Sequence, residues 1–133
     1  MKYLLDTNIC VALIRQKPKD LIKQITSYKP GDIGISTITI AELIYGTQKS
    51  IRTEQNMTAL DQFLLPLEIA DFDQSAAVVY GHIRTYLENK GTLIGSMDML
   101  IAAHALSLDV ALVTNNTREF KRVPSLKVED WMT

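Results

Sequence analysis

The 133-residue chain predicts an α/β fold with an open, mostly parallel sheet, and three observations point there. Short apolar runs alternate with longer segments of helical period. The runs are too short to be helices themselves. Several of them also stop abruptly at polar residues. The opening stretch, MKYLLDTN, shows the pattern: Tyr3, Leu4 and Leu5 lead straight into Asp6, Thr7 and Asn8 before apolar residues resume at Ile9.

Buried strands are expected at residues 2–5, 33–35 and 111–113, with weaker candidates at 67–70 and 126–128. A helix is expected from near Asn8, with Asp6 or Thr7 as its cap. Ser36 and Thr37 precede a helix over 38–49, in which Ile40, Leu43 and Ile44 recur at helical spacing and Gly46 falls near the end. Residues 58–65 read as a short helix bounded by Pro66. Residues 73–89 read as a long amphipathic helix with Val78, Val79, Ile83 and Leu87 inward, stopped by Gly91. Ser96 is the expected cap of a helix over 97–108.

Composition narrows the function without naming it. An apolar fraction of 47% and a charged fraction of 22% are ordinary for a soluble protein, and the length suits one domain over residues 1–133. Fourteen basic and fifteen acidic side chains leave a net charge of −1, so nucleic-acid binding would need local basic patches. Cys10 stands alone, which excludes an internal disulfide framework and a cysteine-based metal site. Asp6 and Asn8 interrupt what would be the core of a signal peptide, and no apolar run approaches the roughly 18 residues of a membrane span. A soluble, cytoplasmic protein without membrane attachment is expected.

The predicted architecture brings distant residues to one edge. In parallel α/β sheets, ligands bind outside the carboxyl ends of the strands. Asp6 follows the first strand, Ser36 the second, and Thr114, Asn115 and Asn116 follow residues 111–113. Helices antiparallel to the strands begin at that same edge. Asp98 lies in the first turn of its helix, and Glu42 about 9 Å into the helix after Ser36. Asp6, Glu42, Asp98 and Asn116 can therefore converge.

Each of these residues also has a purely structural reading. Asp6 or Thr7 could cap a helix, Thr39 to Glu42 matches a capping box, and Asp98 would suit the positive end of a helix dipole. Capping alone does not explain three carboxylates gathered at one edge, where they repel one another and raise one another's pKa. A bound divalent cation removes that penalty, and oxygen ligands suit a hard ion such as Mg²⁺ or Mn²⁺. His82 and His104 read as packed or surface residues. No Ser or Cys partner for a histidine-activated nucleophile is identifiable, and two unclustered histidines make no zinc site.

Four blocks carry a family resemblance: LLDTNI at the start, AELIYG around Glu42, GTLIGSMDMLIAAHAL around Asp98, and LVTNNTREF before the closing VEDW. In order and spacing they resemble a PIN-domain ribonuclease, more narrowly VapC, the toxin of type II toxin–antitoxin pairs. The resemblance implies a three-layer α/β/α sandwich with a mostly parallel sheet of about five strands. It implies that Asp6, Glu42 and Asp98 bind Mg²⁺, with Mn²⁺ as a substitute. The family's fourth acidic position falls at Asn116, whose amide adds no charge, and Glu119 could contribute instead. Thr7, Asn8 and Thr114 match small polar positions that orient the carboxylates.

The same resemblance implies endoribonuclease activity on RNA, with tRNA and the initiator tRNA anticodon region as the leading target. Arg118 is the best candidate for a phosphate contact, followed by Lys121. Most of the other basic residues, Lys17, Lys19, Lys49, Arg52 and Arg122, read as solvated surface. The implied partners are a VapB-type antitoxin whose C-terminal segment covers the acidic site, and a second copy of the chain. Tyr45 and Tyr80 are candidates for that homodimer interface.

Two other functions compete. A haloacid-dehalogenase-like phosphatase would use Asp6 as nucleophile, but expects a second Asp where this chain has Asn8. A non-catalytic PIN-fold module for RNA or partner binding would not need all three carboxylates.

Overall fold

Tyr3–Leu5 forms β1, the central strand of a five-stranded sheet in the computed structural model, which describes residues 1–132. On one side β1 pairs with β2 (Ile33–Ser36), and β3 (Glu68–Ala70) follows; on the other it pairs with β4 (Ala111–Val113), and β5 (Val128–Glu129) follows. Every pair is parallel, in the order β3-β2-β1-β4-β5. The chain thus builds one half of the sheet outward from β1, then returns to build the other half. The gap between β1 and β4 is the switch point at which ligands of such sheets bind.

Alternation along the strands separates two cores. Leu4 and its partner Leu112 face one side of the sheet; Leu5, flanked by Ile35 and Val113, faces the other. On the first side pack α5 (Gln74–Lys90) and α6 (Ser96–Leu108), through Ile83, Leu87, Met99 and Ile101. On the second pack α1 (Thr7–Ile14), α2 (Lys19–Thr26), α3 (Thr37–Lys49) and α4 (Thr53–Leu64), through Ile9, Leu13, Leu21, Leu43 and Leu60. The result is a three-layer α/β/α sandwich. Tyr3, Tyr28 and Trp131 close the second core, with the Tyr28 and Trp131 rings stacked at 5.1 Å.

Local signals fix most helix ends. Asp73 Oδ1 accepts from Ala76 N–H at 3.0 Å to start α5, and Gly91, at φ 68°, ends it in the left-handed region that glycine enters without strain. Ser36 Oγ accepts from Ile38 N–H at 3.0 Å to start α3.

Several expectations need correction. The helix cap before α6 is Gly95, which has no side chain to cap with, and Ser96 is already helical. The capping box from Thr39 to Glu42 is not formed, because α3 starts at Thr37 and Thr39 lies buried within it. Val78 points outward at 55% exposure, because the buried stripe of α5 runs through Ala76, Ile83 and Leu87 instead. The helix expected from residue 58 begins at Thr53, and α2 and the one-turn α7 (Thr117–Phe120) have no counterpart in the sequence reading. Among the described residues no helix is long and apolar enough to cross a membrane.

Candidate active site

Asp6 sits where β1 gives way to α1 and does two jobs at once. Its Oδ1 accepts from Ile9 N–H at 2.9 Å, which caps α1, and its Oδ2 accepts from the Thr114 hydroxyl at the end of β4. One carboxylate thus both caps α1 and ties it to the end of β4. Its residue surface is only 4% exposed. Burial raises its pKa, the Thr114 and Ile9 hydrogen bonds oppose that, and nearby Glu42 adds to it. Asn8 is exposed, and it reaches Asp6 through its backbone N–H rather than its side chain.

Glu42 comes from α3, distant from Asp6 in sequence but in the same helical layer as α1. Thr7 Oγ1 donates to Glu42 Oε1 at 2.6 Å, tying the start of α1 to the middle of α3. Asp98 lies in the first turn of α6, close enough to Gly95 that a Cβ there would stand 3.3 Å from Oδ2. Burial raises the Asp98 pKa to about 6, and the charges of Asp6, Glu42 and Glu119 push in the same direction. Asp6, Glu42, Asp98 and Glu119 thus share one field from four different elements.

Asn116 takes part through its neighbours. Its N–H donates to Thr114 Oγ1 at 2.9 Å, and its Nδ2 donates to Glu119 Oε2 at 3.2 Å. Asn116 therefore holds Glu119, whose charge is felt at Asp98. Arg118 and Lys121 are exposed on and just after α7, beside this edge. Two of the other basic candidates have internal contacts: Arg122 Nη1 donates to Leu93 O at 3.1 Å, and Lys49 Nζ lies 5.1 Å from the Tyr45 ring centroid.

His104 does have a serine partner, which the sequence did not identify. Its Nδ1 lies 2.7 Å from Ser36 Oγ, with the Phe72 ring edge-on at 5.4 Å. Both residues are shut away from solvent, Ser36 at 0% and His104 at 1% exposure, so the pair braces α6 against the start of α3 and attacks nothing. Burial lowers the His104 pKa and keeps the ring neutral. His82 is exposed on α5.

The donor set suits a hard divalent ion, being all carboxylate and amide oxygen with no thiolate or imidazole. As placed, no three His, Cys, Asp or Glu side chains among the described residues form a group close enough to cage a metal ion. Mg²⁺ does not require one: it keeps several waters and is held through one or two carboxylates plus substrate phosphate. Burial first, and then the charges of Asp6, Glu42 and Glu119, raise the Asp98 pKa, so a positive charge placed nearby would ease its ionisation.

A cavity of about 320 Å³ opens beside Glu42, between α1, α3 and α4. A larger one, about 500 Å³, is lined by apolar residues such as Leu13, Ile22 and Phe63, and opens at the opposite end of the strands near Ile33. It is lined by no carboxylate, whereas the smaller cavity is lined by Glu42.

The PIN-domain family model matches residues 3–126, and Ribonuclease VapC2 of Rickettsia felis is 48% identical over 132 residues, 98% of each chain. The chain belongs to the VapC family of PIN-domain ribonucleases. A tRNA(fMet)-specific endonuclease VapC of Salmonella typhimurium is 43% identical over 98% of both chains. Among solved structures, VapBC2 of Rickettsia felis bound to a promoter DNA fragment matches with a TM-score of 0.93 at 47% identity, covering 98% of this chain and 99% of that one. DNA-bound VapBC of Salmonella typhimurium matches with a TM-score of 0.94 at 42% identity over 98% of both. Within this VapC-family chain, the residues that sequence reasoning missed are Ser36 as the partner of His104 and Arg15 at the mouth of the smaller cavity. Both depend on helix packing and carry no local motif.

Proposed function

We propose that the chain is the toxin of a toxin–antitoxin pair, an endoribonuclease that hydrolyses RNA phosphodiesters with a divalent cation, Mg²⁺ or Mn²⁺. The observation that carries this is the gathering of Asp6, Glu42, Asp98 and Glu119 outside the carboxyl ends of β1 and β4. Asp6, Glu42 and Asp98 would hold the cation, in part through its bound waters, and it would supply positive charge against the phosphate and activate water for attack. The chain's own groups do the positioning. Thr114 and the start of α1 orient Asp6, Thr7 orients Glu42, and Asn116 orients Glu119. Arg118 and Lys121, exposed beside the site, contact the RNA backbone.

Transfer RNA, the initiator species first, is the substrate suggested by the relative whose name specifies tRNA(fMet). A VapB-type antitoxin is the partner suggested by the VapBC structures, and a homodimer joined to antitoxin is the assembly we infer. The purified chain, freed of antitoxin, should cut tRNA with Mg²⁺ or Mn²⁺ and stop on addition of EDTA. Cleavage that continues undiminished in EDTA would remove the metal from this mechanism.

A further inference from the structure

The cavity beside Glu42 runs the length of α1. Thr7, at the first turn, and Arg15, just past the last, both line it, about 12 Å apart along the helix axis. Its walls are apolar, from Val11, Ile14, Leu43 and Leu60, and its far rim is polar, from Ser50 and Asn56. Arg15 is exposed and makes no ion pair among the described residues. We propose that this cavity is a nucleobase subsite, which takes one unstacked base of the RNA strand flanking the scissile phosphate, with Arg15 at its outer end.

The assignment rests on the ribonuclease reading above and adds to it a base-sized contact outside the carboxylate cluster. Sequence-selective RNA recognition works on single strands whose bases are splayed out, boxed by apolar or planar groups and hydrogen-bonded on their edges. The cavity offers each part. Its volume of about 320 Å³ lies at the small end of ligand pockets, enough for one base rather than a larger group. The Arg15 guanidinium can stack on a base or meet its phosphate. Asn56 Nδ2 donates to Ser50 Oγ at 2.9 Å, which fixes the amide and leaves its oxygen and second N–H for a base edge. The carboxylate cluster repels an approaching strand, and Arg15 stands at the end of the cavity away from it, where a polyanion needs a cation.

Gly46 supplies the sharpest handle. It lines the cavity, and a Cβ built on it meets no atom within 4 Å. A larger side chain on this lining position is expected to narrow the cavity, and its Cβ itself meets no neighbour. Leucine also favours a helix over glycine, so loss of folding is not the expected result.

The test uses the full chain. Binding of a fluorescent single-stranded RNA is followed by anisotropy in an Asp98→Asn background, and cleavage kinetics are followed in the active background. Arg15→Ala and Gly46→Leu should each weaken RNA binding about tenfold and raise KM more than they lower kcat. Asn56→Ala should change which base is preferred beside the cut. Wild-type binding and cleavage in all three variants would overturn the subsite. So would variants that bind and cut RNA normally but no longer retain co-expressed antitoxin, since the cavity would then hold a protein segment. If the unmodified chain cut no RNA at all, while its antitoxin still bound, the ribonuclease reading would fail and the subsite with it.

Discussion

Thr7 Oγ1 donates to Glu42 Oε1 at 2.6 Å, across 35 residues of sequence, and through it α1 fixes a carboxylate that α3 carries. Thr7→Val keeps the shape of the side chain and removes the donor. Activity should fall about tenfold, the low end for losing a group that orients a metal-binding carboxylate. Urea unfolding should barely change, because Glu42 at this edge can turn to water. A wild-type rate in Thr7→Val would show that Glu42 needs no such tether.

Asp98 makes the metal-free protein sensitive to pH in a defined direction. Its pKa rises from 3.8 unfolded to about 6 folded, so between these values the native state binds more protons than the unfolded state. This contribution to stability is fully present below pH 3.8 and is lost as pH rises through 6. Asp98→Asn should therefore raise the metal-free melting temperature at pH 7.5, with the gain shrinking toward pH 4. Mg²⁺ should stabilise the wild type more at pH 7.5 than at pH 5, and Asp98→Asn less at both. Calorimetric melts at the two pH values check the signs.

His104 works in the opposite sense. Its pKa is lowered from 6.5, so its share of stability is present above that pH and is lost as pH falls and the unfolded ring takes up a proton. His104→Ala removes a packed ring and leaves the buried Ser36 without its side-chain partner. A loss of about 2–4 kcal/mol is expected from urea titration at unchanged m-value.

Thr39 is the buried hydroxyl left without a partner among the described residues. Thr39→Val preserves its β-branched shape and removes the unsatisfied group. Stability should rise by about 1 kcal/mol, seen as a higher urea midpoint, with RNA cleavage unchanged. A destabilised variant would mean that the hydroxyl is satisfied in solution.

The strands were legible because a parallel sheet buries both faces and leaves short apolar runs with polar ends: Tyr3–Leu5 and Ala111–Val113 stop at Asp6 and Thr114. The same stops put Asp6 and Asn116 at one edge, and the helix starts put Asp98 there with Glu42 about 9 Å further along its helix. What the sequence hid is non-local or too short for a period to show. α2, between Pro18 and Pro30, is only eight residues long, with Leu21, Ile22 and Ile25 at a helical spacing that the sequence reading left unused, and α7 is a single turn. α4 is preceded by Arg52, which offers no side-chain cap, so its polar first turn carries no start signal. The Ser36–His104 pair spans 68 residues, and the cavity along α1 exists only because α3 and α4 pack against it.

The central claim is that the Asp6, Glu42 and Asp98 cluster cuts RNA. End-mapping of products from total RNA, with wild type, Asp6→Ala and Asp98→Asn side by side in Mg²⁺, tests it most directly. Discrete cuts, in tRNA first, are expected from the wild type alone, with both variants folded and silent. Asp98→Asn cutting at the wild-type rate and positions would contradict the assignment.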